Sequence, residues 1–299
     1  MRHRVLLGAL LTLLGALFYS SLTALVKAFS GGELPLPMLV FMQSVVSLLI
    51  FLPFLFRGGL VSAKKIVTTK KLSIHLLRAI SSLSISYFLF SAVKFIPLVS
   101  AMLLANISPL ILPFIAYFFL GKKIKHHLWI PIIIGFIGIT LVLHPDGKIF
   151  QLGALLAVGA AIGVAVSSLS VRQLSATDST ETIMFYFFLL STVISGIISV
   201  KYWVPLSSTL WLVLVGAGII YFASQYLISA ALALASAQLV STLLYANIIF
   251  SALFSMMIWH HFPSILTWIG IVITVLGGIL CIRAEHQYHK RIIAQAGAV

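Results

Sequence analysis

A stripe of polar side chains lies within an otherwise apolar stretch of the chain. Gln238, Ser241, Thr242 and Tyr245 recur at spacings of three and four residues, which places them on one face of a helix. Their amide, hydroxyl and phenol groups can hydrogen-bond a zwitterion or a heterocycle. The same groups can instead bond neighbouring helices, where such contacts contribute about 0.6 kcal/mol each. The stripe is therefore a candidate substrate-binding face, with helix packing as its alternative.

Two further groups of polar residues follow helical spacing. Tyr221 and Gln225 share one face, because they lie four residues apart. Asn106, Pro109 and Pro113 align on another face, so a side-chain amide lies beside two positions that lack a backbone N–H. This combination predicts a kinked helix with exposed carbonyl groups, although prolines also bend membrane helices for packing alone.

Arg78 is the one full charge clearly within an apolar segment, about one helical turn from its end. An arginine at the centre of a membrane helix costs about 2.5–3.5 kcal/mol, whereas near the interface its side chain can extend to the headgroups. We interpret Arg78 as such an interfacial residue, as the contact of a substrate carboxylate or phosphate, or as part of a gate. His75, nearer the segment end, is expected at the interface.

The composition places these residues in a bilayer. The chain is 61% hydrophobic and 8% charged, whereas soluble domains are about 45–50% apolar and about 25% charged. Its net charge of +14 comes from basic residues in short connectors, where anionic headgroups can meet them. The expected partners are therefore the lipid bilayer and a small-molecule substrate, without nucleic acid, and a homodimer is left open.

Ten segments reach the roughly 20 apolar residues that a transmembrane helix needs. We predict spans at 4–28, 36–56, 72–93, 97–120, 127–144, 151–173, 181–200, 208–231, 236–259 and 263–283. With a cytoplasmic N-terminus, fourteen of the nineteen Lys and Arg lie on the cytoplasmic side and four on the other. Both termini are therefore expected in the cytoplasm, at a bacterial inner membrane. The residues from Ala284 show no clear apolar face and are interpreted as a mobile tail.

The chain contains an internal repeat. The string Leu-Gly-Ala-Leu-Leu occurs at 7–11 and at 152–156, with Lys27 and Arg172 twenty positions after each first leucine. A second register, offset by 139 residues, pairs like with like at four places: Tyr87 with Tyr226, Ala92 with Ala231, Trp129 with Trp268, and Gly138 with Gly277. We predict five-helix repeats at 1–148 and 149–283, followed by a cytoplasmic tail at 284–299. Because five is odd, the second repeat is inverted in the membrane, an arrangement typical of alternating-access carriers.

Several motifs resemble those of the drug/metabolite transporter superfamily, specifically its ten-helix EamA-type carriers. They are the stretch from Leu76-Leu77-Arg78-Ala79 to Tyr87-Phe88, the stretch from Ala92 to Leu98, Pro109, Leu120-Gly121, Tyr245 and Trp268. The resemblance covers essentially the whole chain. It implies an all-α basket around a central cavity and a membrane transport activity, but it names no substrate.

The chain departs from the family pattern at two places. Gly121-Lys122 and His260-His261 stand where family members commonly have a Gly-Glu pair, and Gln43 lies near the position of a frequent arginine. Gln43 and Tyr87 complete the set of candidate substrate-binding residues.

The acidic residues limit the transport chemistry. Glu33, Asp146, Asp178, Glu181 and Glu285 all fall in connectors or at predicted span ends. Exchange of a proton for a cationic drug usually needs an acid within the membrane, so that mechanism is disfavoured. Neutral, zwitterionic or anionic substrates fit better, although Tyr and Trp rings can still attract a cation.

Other functional classes have less support in the sequence. We expect no enzyme, cofactor or metal site, because His126-His127 and His260-His261 fall on opposite sides of the membrane and no catalytic cluster is evident. No filter or ring-forming charge motif indicates a channel. The leading prediction is a secondary transporter of an amino acid or similar zwitterion. The alternatives are uptake of a nucleoside-like or adenosyl compound such as S-adenosylmethionine, and a non-transporting receptor or scaffold.

Overall fold

The computed structural model describes residues 2–29, 34–56, 59–120, 126–143, 152–235 and 237–296. All regular secondary structure in these ranges is helical. The α-helices are α1 (Arg2–Ala28), α2 (Leu36–Leu55), α3 (Gly59–Val67), α4 (Leu72–Phe95), α5 (Leu98–Ala105), α6 (Ser108–Leu120), α7 (Trp129–Leu143), α8 (Leu152–Leu174), α9 (Thr180–Ser199), α10 (Ser208–Leu234), α11 (Ala237–Leu243), α12 (Ala246–Trp259) and α13 (Ile265–Ala296).

The described helices account for ten membrane spans. Nine stretches in these ranges are long and apolar enough to cross a bilayer. One of them combines α5 with α6 and another combines α11 with α12, while the apolar part of α7, Trp129–Val142, is shorter. The protein is therefore the all-α, ten-helix membrane protein that the sequence predicts.

Two elements differ from the predicted map. The short helix α3, in the connector after the second span, was not predicted; it presents Lys64 and Lys65 to the exterior and packs on α2 and α9. The last helix does not end at 283, because α13 continues to Ala296. The segment that the sequence analysis interpreted as a mobile tail therefore begins as a continuation of the last span.

The helices pack in a pattern that repeats between the two halves. α1 packs on α10 and α8 packs on α4, while α2 pairs with α9 and α7 pairs with α13. If the two halves are exchanged, the α1–α10 pair becomes the α8–α4 pair. The α2–α9 and α7–α13 pairs each remain the same pair. This is the contact pattern of two inverted five-helix repeats.

Close approaches at two glycines reproduce the repeat at the level of atoms. A Cβ added to Gly8 would lie 3.4 Å from the Ala231 oxygen, and a Cβ added to Gly153 would lie 3.3 Å from the Ala92 oxygen. Gly8 and Gly153 are related by the first register and Ala92 and Ala231 by the second. The same packing therefore occurs once at each end of the bundle. The predicted division after residue 148 lies outside the described residues.

We use two names for the ends of the bundle. The terminal end is the one where α1 begins and α13 passes Ala284, and the opposite end is the one where α1 ends at Ala28. Since α8 begins beside the end of α4, it runs from the opposite end to the terminal end.

Candidate substrate-binding site

Two membrane spans are interrupted near their centres. α5 gives way to α6 at Asn106-Ile107, and α11 gives way to α12 at Leu244-Tyr245. The second register of the repeat maps Asn106 onto Tyr245, so the interruptions are equivalent. Interrupted spans at the interface of two inverted repeats are a usual location for a carrier's substrate site.

Prolines explain the first interruption. Pro109 has no N–H to donate to Ala105, and Pro113 has none to donate to Pro109. The freed Pro109 oxygen instead accepts a bond from the Cys281 sulfur of α13 at 3.3 Å. The Asn106 amide turns back onto the Met102 oxygen at 2.7 Å. The helix is therefore interrupted where the spacing of Asn106 and the prolines predicts a hinge. The carbonyl groups of Met102 and Pro109, however, are hydrogen-bonded and not exposed.

The second interruption has no proline. Its backbone tightens to three-residue bonds, with Tyr245 N donating to the Thr242 oxygen at 3.3 Å and Ile248 N to the Tyr245 oxygen at 3.0 Å. Thr242 and Tyr245 were predicted to share one continuous helical face, but the chain changes helix between them. We find no signal in the sequence at 244–245 that indicates this break.

A cavity of about 180 Å³ lies beside both interruptions. This is room for roughly six water molecules. Its polar lining comes from α5–α6, α8 and α11–α12, and consists of Asn106, Ser108, Ser168, Ser241 and Tyr245. Leu112 of α6 and Ile282 of α13 contribute apolar walls. Three predicted residues, Asn106, Ser241 and Tyr245, therefore meet at one cavity, while Ser108 and Ser168 were not predicted.

The other members of the predicted stripe are placed differently. Thr242 is half-buried and does not line this cavity. Gln238 is the second residue of α11, but its side chain lies outside the described residues. Asn247, just beyond the break, is held by Ser20 of α1, whose hydroxyl donates to the Asn247 backbone oxygen at 3.1 Å.

A second group of predicted residues surrounds Arg78. Its guanidinium is 8% exposed, donates to the Ile183 oxygen at 3.1 Å and lies 4.8 Å from the centre of the Phe187 ring. Phe187 in turn packs on Tyr221, with ring centres 6.4 Å apart. Tyr221 interacts electrostatically with Arg78 and through its side chain with Gln225. Arg78, Tyr221 and Gln225, chosen from two separate patterns, therefore belong to one cluster between α4, α9 and α10.

The burial of Arg78 decides between its possible locations. A side chain that extended to the headgroups would be exposed, whereas this guanidinium is turned into the bundle. The interfacial interpretation is therefore wrong for this structure. A buried guanidinium held on an aromatic face and one carbonyl retains donors for an anionic ligand.

Gln43 bonds the face of α4 that carries Arg78, and Tyr87 follows Ser86 on an adjacent face. Gln43 is 1% exposed, and its amide nitrogen donates to the Ser86 hydroxyl at 3.2 Å. Arg78, Ser82 and Ser86 follow at four-residue spacing on one face of α4. Ser82 bonds Ser167 of α8 at 3.0 Å, immediately before the cavity residue Ser168. One helix, α8, therefore borders both the Arg78 cluster and the cavity.

Buried polar atoms without a hydrogen-bond partner are concentrated at predicted residues. Within the part of the chain that the structure describes, seven such side-chain atoms occur, and four belong to candidates: Gln43 Oε1, Arg78 Nε, Tyr87 OH and Tyr245 OH. Leaving a buried donor or acceptor unpaired costs about 1–3 kcal/mol. These four groups are therefore the ones with unused capacity to bind a ligand.

The end of α4 nearest Arg78 is fixed by a polar cluster around Asp178. This carboxylate accepts from the Thr69 hydroxyl at 2.8 Å and lies 2.7 Å from His75 Nε2. The His75 side chain is fully buried and packs on the Tyr186 ring. Burial tends to raise the pKa of Asp178, but the bonds from Thr69 and His75 outweigh it, and the net pKa lies below the usual value.

We expect Asp178→Ala to lower the stability of the folded protein by about 1–3 kcal/mol, because it leaves Thr69 and buried His75 without their shared acceptor. A group with a lowered pKa stabilises the fold above its unfolded pKa, about 3.9 for Asp, and this stabilisation is lost as the pH falls below that value. Thermal unfolding should therefore show that Asp178→Ala is less stable than the original protein at pH 7. The difference in stability should become smaller at acid pH.

The matched control is Glu181→Ala, which removes an exposed carboxylate from the first turn of α9. Its loss should cost only about 0.3–1 kcal/mol, through the helix dipole. Equal losses in the two variants would show that the Asp178 cluster does not fix this end of α4.

Comparison with known families decides the class of the protein. The model of the EamA-like transporter family matches residues 6–144 and 151–283. The chain belongs to the EamA-like transporter family. The resemblance seen in the third, fourth and ninth spans is thereby confirmed, and the two matched stretches each cover one half of the chain.

Characterised relatives of this EamA-like protein are named transporters. A riboflavin transporter of Vibrio cholerae is 29% identical over 293 residues, with 97% of each chain covered. A pseudopaline exporter of Pseudomonas aeruginosa is 26% identical, covering 93% of this chain and 96% of that protein. An S-adenosylmethionine uptake transporter of Rickettsia prowazekii is 25% identical, with 91% of each covered. The protein is therefore a membrane transporter for a small molecule, and these names agree on neither substrate nor direction.

A solved crystal structure that shares the fold of this EamA-like protein gives an example of the architecture. It superposes with a TM-score of 0.64 over 94% of this chain and 98% of that chain, at 19% sequence identity. At that identity the likeness supports the ten-helix architecture alone.

Proposed function

We propose that the protein is a secondary transporter, and not an enzyme, that moves a small zwitterionic metabolite of the amino-acid type by alternating access. The observation that carries this proposal is the buried Arg78 guanidinium, whose Nε has no partner among the described residues. Within those residues no carboxylate is buried in a membrane span. A substrate carboxylate would supply the missing counter-charge and accept the free donors.

The ammonium group of such a substrate needs neutral acceptors. Gln43 Oε1 and the phenol of Tyr87 retain unused acceptor capacity. Aromatic faces also attract cations within about 6 Å, and Phe187 and Tyr221 flank Arg78. Ser86, the partner of Gln43, lies eight residues from Arg78, which is about 12 Å along α4. The aromatic faces are therefore the nearer partners for the ammonium group of a ligand whose two charges are close together.

A second candidate substrate class is a flat heterocycle, as in adenosyl compounds and flavins. A series of rings runs between α2, α9 and α10, with Phe54 and Phe222 6.2 Å apart and Phe222 stacked on Tyr226 at 5.8 Å. Such faces can stack on a planar ligand. Two of the relatives are named for riboflavin and for S-adenosylmethionine, which also favours this class.

We further propose the orientation that the basic residues indicate, with both termini in the cytoplasm at a bacterial inner membrane. The exposed Lys64 and Lys65 of α3 would then face the cytoplasmic headgroups.

A ligand screen by thermal unfolding tests the substrate class. A ligand that binds only the folded state raises stability by RT ln(1 + [L]/Kd), or about 2.7 kcal/mol at a hundredfold excess over Kd. We expect one or more amino acids to raise the melting temperature of the purified protein and to enter proteoliposomes that contain it. Stabilisation by riboflavin or S-adenosylmethionine, without any effect of amino acids, would reject the first class in favour of the second. Binding without flux would indicate the receptor alternative.

A further inference from the structure

Lys27 joins the ends of three helices at the opposite end of the bundle. Its ammonium donates to the Ile96 oxygen at 2.9 Å and lies 5.7 Å from the centre of the Trp259 ring. Lys27 is in the last turn of α1, Ile96 caps α4, and Trp259 ends α12. A cation is favourable there because the carbonyl end of a helix carries partial negative charge. One side chain therefore holds this end of the bundle together.

The repeat places the same parts at the terminal end. The first register maps Lys27 onto Arg172 of α8, and the second maps Ile96 onto Ala235 after α10. Ala235 caps α10 with φ −132° and ψ 160°, and Ile96 caps α4 with φ −128° and ψ 161°. The backbone acceptor that Lys27 uses therefore has a counterpart of the same geometry.

Only one of the two sets of parts is assembled. Lys27 is bonded as described, whereas Arg172 is exposed and makes no hydrogen bond or ion pair to any residue that the structure describes. Both ends of the molecule therefore carry a basic residue and a matching backbone carbonyl, but the hydrogen bond between them forms only at the Lys27 end.

Residues that the repeat relates are also buried to different extents, with those near Lys27 buried and their counterparts near Arg172 exposed. Thr23 of α1 is fully buried, but its counterpart Ser168 of α8 is exposed. Met102 of α5 is fully buried, but its counterpart Ser241 of α11 is exposed. Ser168 and Ser241 are both lining residues of the cavity. The bundle is thus sealed at the Lys27 end and open beside Arg172.

The helix contacts agree with this asymmetry. α1 packs against both α4 and α5. The corresponding contacts of α8 with α10 and α11 are too sparse, in the described ranges, to form a packed interface. In the described ranges α8 therefore lacks the packing on α10 and α11 that α1 has on α4 and α5, and the cavity borders both α8 and α11.

We propose that Lys27 and Arg172 are alternating latches that close the transport pathway at opposite ends. The proposal rests on the alternating-access function proposed above. In the conformation of this structure, Lys27 holds the Ile96 carbonyl and Arg172 is released. In the exchanged conformation Arg172 donates to the Ala235 carbonyl, Lys27 is released, and the cavity opens toward the opposite end. Inverted repeats permit this exchange because each half can adopt the arrangement of the other.

Thiol labelling at the matched positions Thr23 and Ser168 tests the latches. Thr23→Cys and Ser168→Cys are introduced separately into a full-length Cys281→Ala background, and the reaction with a polar maleimide is followed in lipid nanodiscs without substrate. With both latches intact, Ser168→Cys should react about tenfold faster or more, since one charged hydrogen bond suffices for a population shift of that size.

Removal of one latch should shift labelling in a defined direction. Lys27→Met should accelerate labelling of Thr23→Cys about tenfold and slow that of Ser168→Cys. Arg172→Met should leave the labelling of Thr23→Cys slow. The exchanged conformation exposes position 23, and this variant removes the Arg172 contact that stabilises that conformation. Lys27→Arg should preserve the original pattern. The matched control is Lys94→Met, which removes an exposed lysine from the last turn of α4 at the same end.

The latch assignment is overturned if Lys27→Met changes neither rate, or changes them no more than Lys94→Met does. These rates need no substrate, so they remain informative if the proposed substrate class is wrong. A shift of labelling by Lys27→Met, together with no flux of any ligand tested, would support the latches and reject the proposed transport function. Flux that is lost in Lys27→Met with unchanged labelling would reject the latches and leave the function intact.

Discussion

Replacing Arg78 by glutamine should weaken binding of a carboxylate-bearing substrate by about 10- to 100-fold, because a hydrogen bond to a charged group contributes about 1.5–3 kcal/mol. Glutamine keeps a polar side chain of moderate length but removes the charge and the forked donors. The dissociation constant of the amino acid identified by the ligand screen is compared with that of its uncharged carboxamide. The acid should lose affinity while the carboxamide is nearly unaffected.

Two control variants separate this effect from general damage. Arg78→Lys retains the charge without the planar fork, so it should lie between the original protein and Arg78→Gln. Arg283→Gln removes an exposed arginine near the terminal end and should change neither constant. If Arg78→Gln weakened the acid and the carboxamide equally, Arg78 would act on the structure of the site and would not contact the carboxylate.

The sequence predicts the ten spans well because the bilayer imposes a simple rule on length and polarity. Segment boundaries at 28, 36 and 72 agree with the ends of α1, α2 and α4 to within a residue. The rule concerns only the length of apolar segments, so it does not predict a short helix such as α3 outside the hydrocarbon region. It also does not register the continuation of α13, where a polar sequence stays helical to Ala296.

The two helix interruptions differ in whether the local sequence predicts them. At Asn106 the cause is local, because Pro109 and Pro113 remove backbone donors in the same helix. At Tyr245 it is not local, since that segment has no proline and breaks at the position equivalent to Asn106. A Cβ on Gly278 of α13 would collide with the phenol of Tyr245, so this ring depends on close approach of another helix. Such tertiary constraints are not visible in spacing along one segment.

Candidate residues were found as separate stripes, and their assembly needed the fold. Asn106, Ser241 and Tyr245 meet because α6 packs on α8 and α13, while α11 packs on α13. Arg78 and Tyr221 meet because Phe187 of α9 lies between them. Helical spacing identifies which side chains share a face but not which faces meet. The grouping of three candidates at the cavity and of three others in the Arg78 cluster could therefore not be predicted.

α7 and α13 approach each other closely at two glycines that the repeat relates. A Cβ on Gly138 of α7 would lie 2.7 Å from the Gly270 oxygen and would collide with the Thr274 nitrogen. A Cβ on its counterpart Gly277 would lie 2.9 Å from the Pro131 oxygen. The second register relates Pro131 to Gly270 as it relates Gly138 to Gly277. Backbone atoms cannot move aside as a flexible side chain can, so only a hydrogen fits at these two positions.

Gly138→Leu should therefore force α7 and α13 apart and lower the melting temperature of the purified protein more than any other single change proposed here. Overpacking typically costs about 1–3 kcal/mol, and the clash with backbone places this variant at the upper end of that range or beyond it. Gly277→Leu should also lower the melting temperature strongly, because the repeat sets equivalent backbone atoms against both glycines. The control is Gly216→Leu in α10, where an added Cβ meets nothing within 4 Å. Equal melting temperatures for Gly216→Leu and Gly138→Leu would contradict the symmetric packing of the two repeats. An unchanged melting temperature for Gly277→Leu, with a lowered one for Gly138→Leu, would contradict it as well.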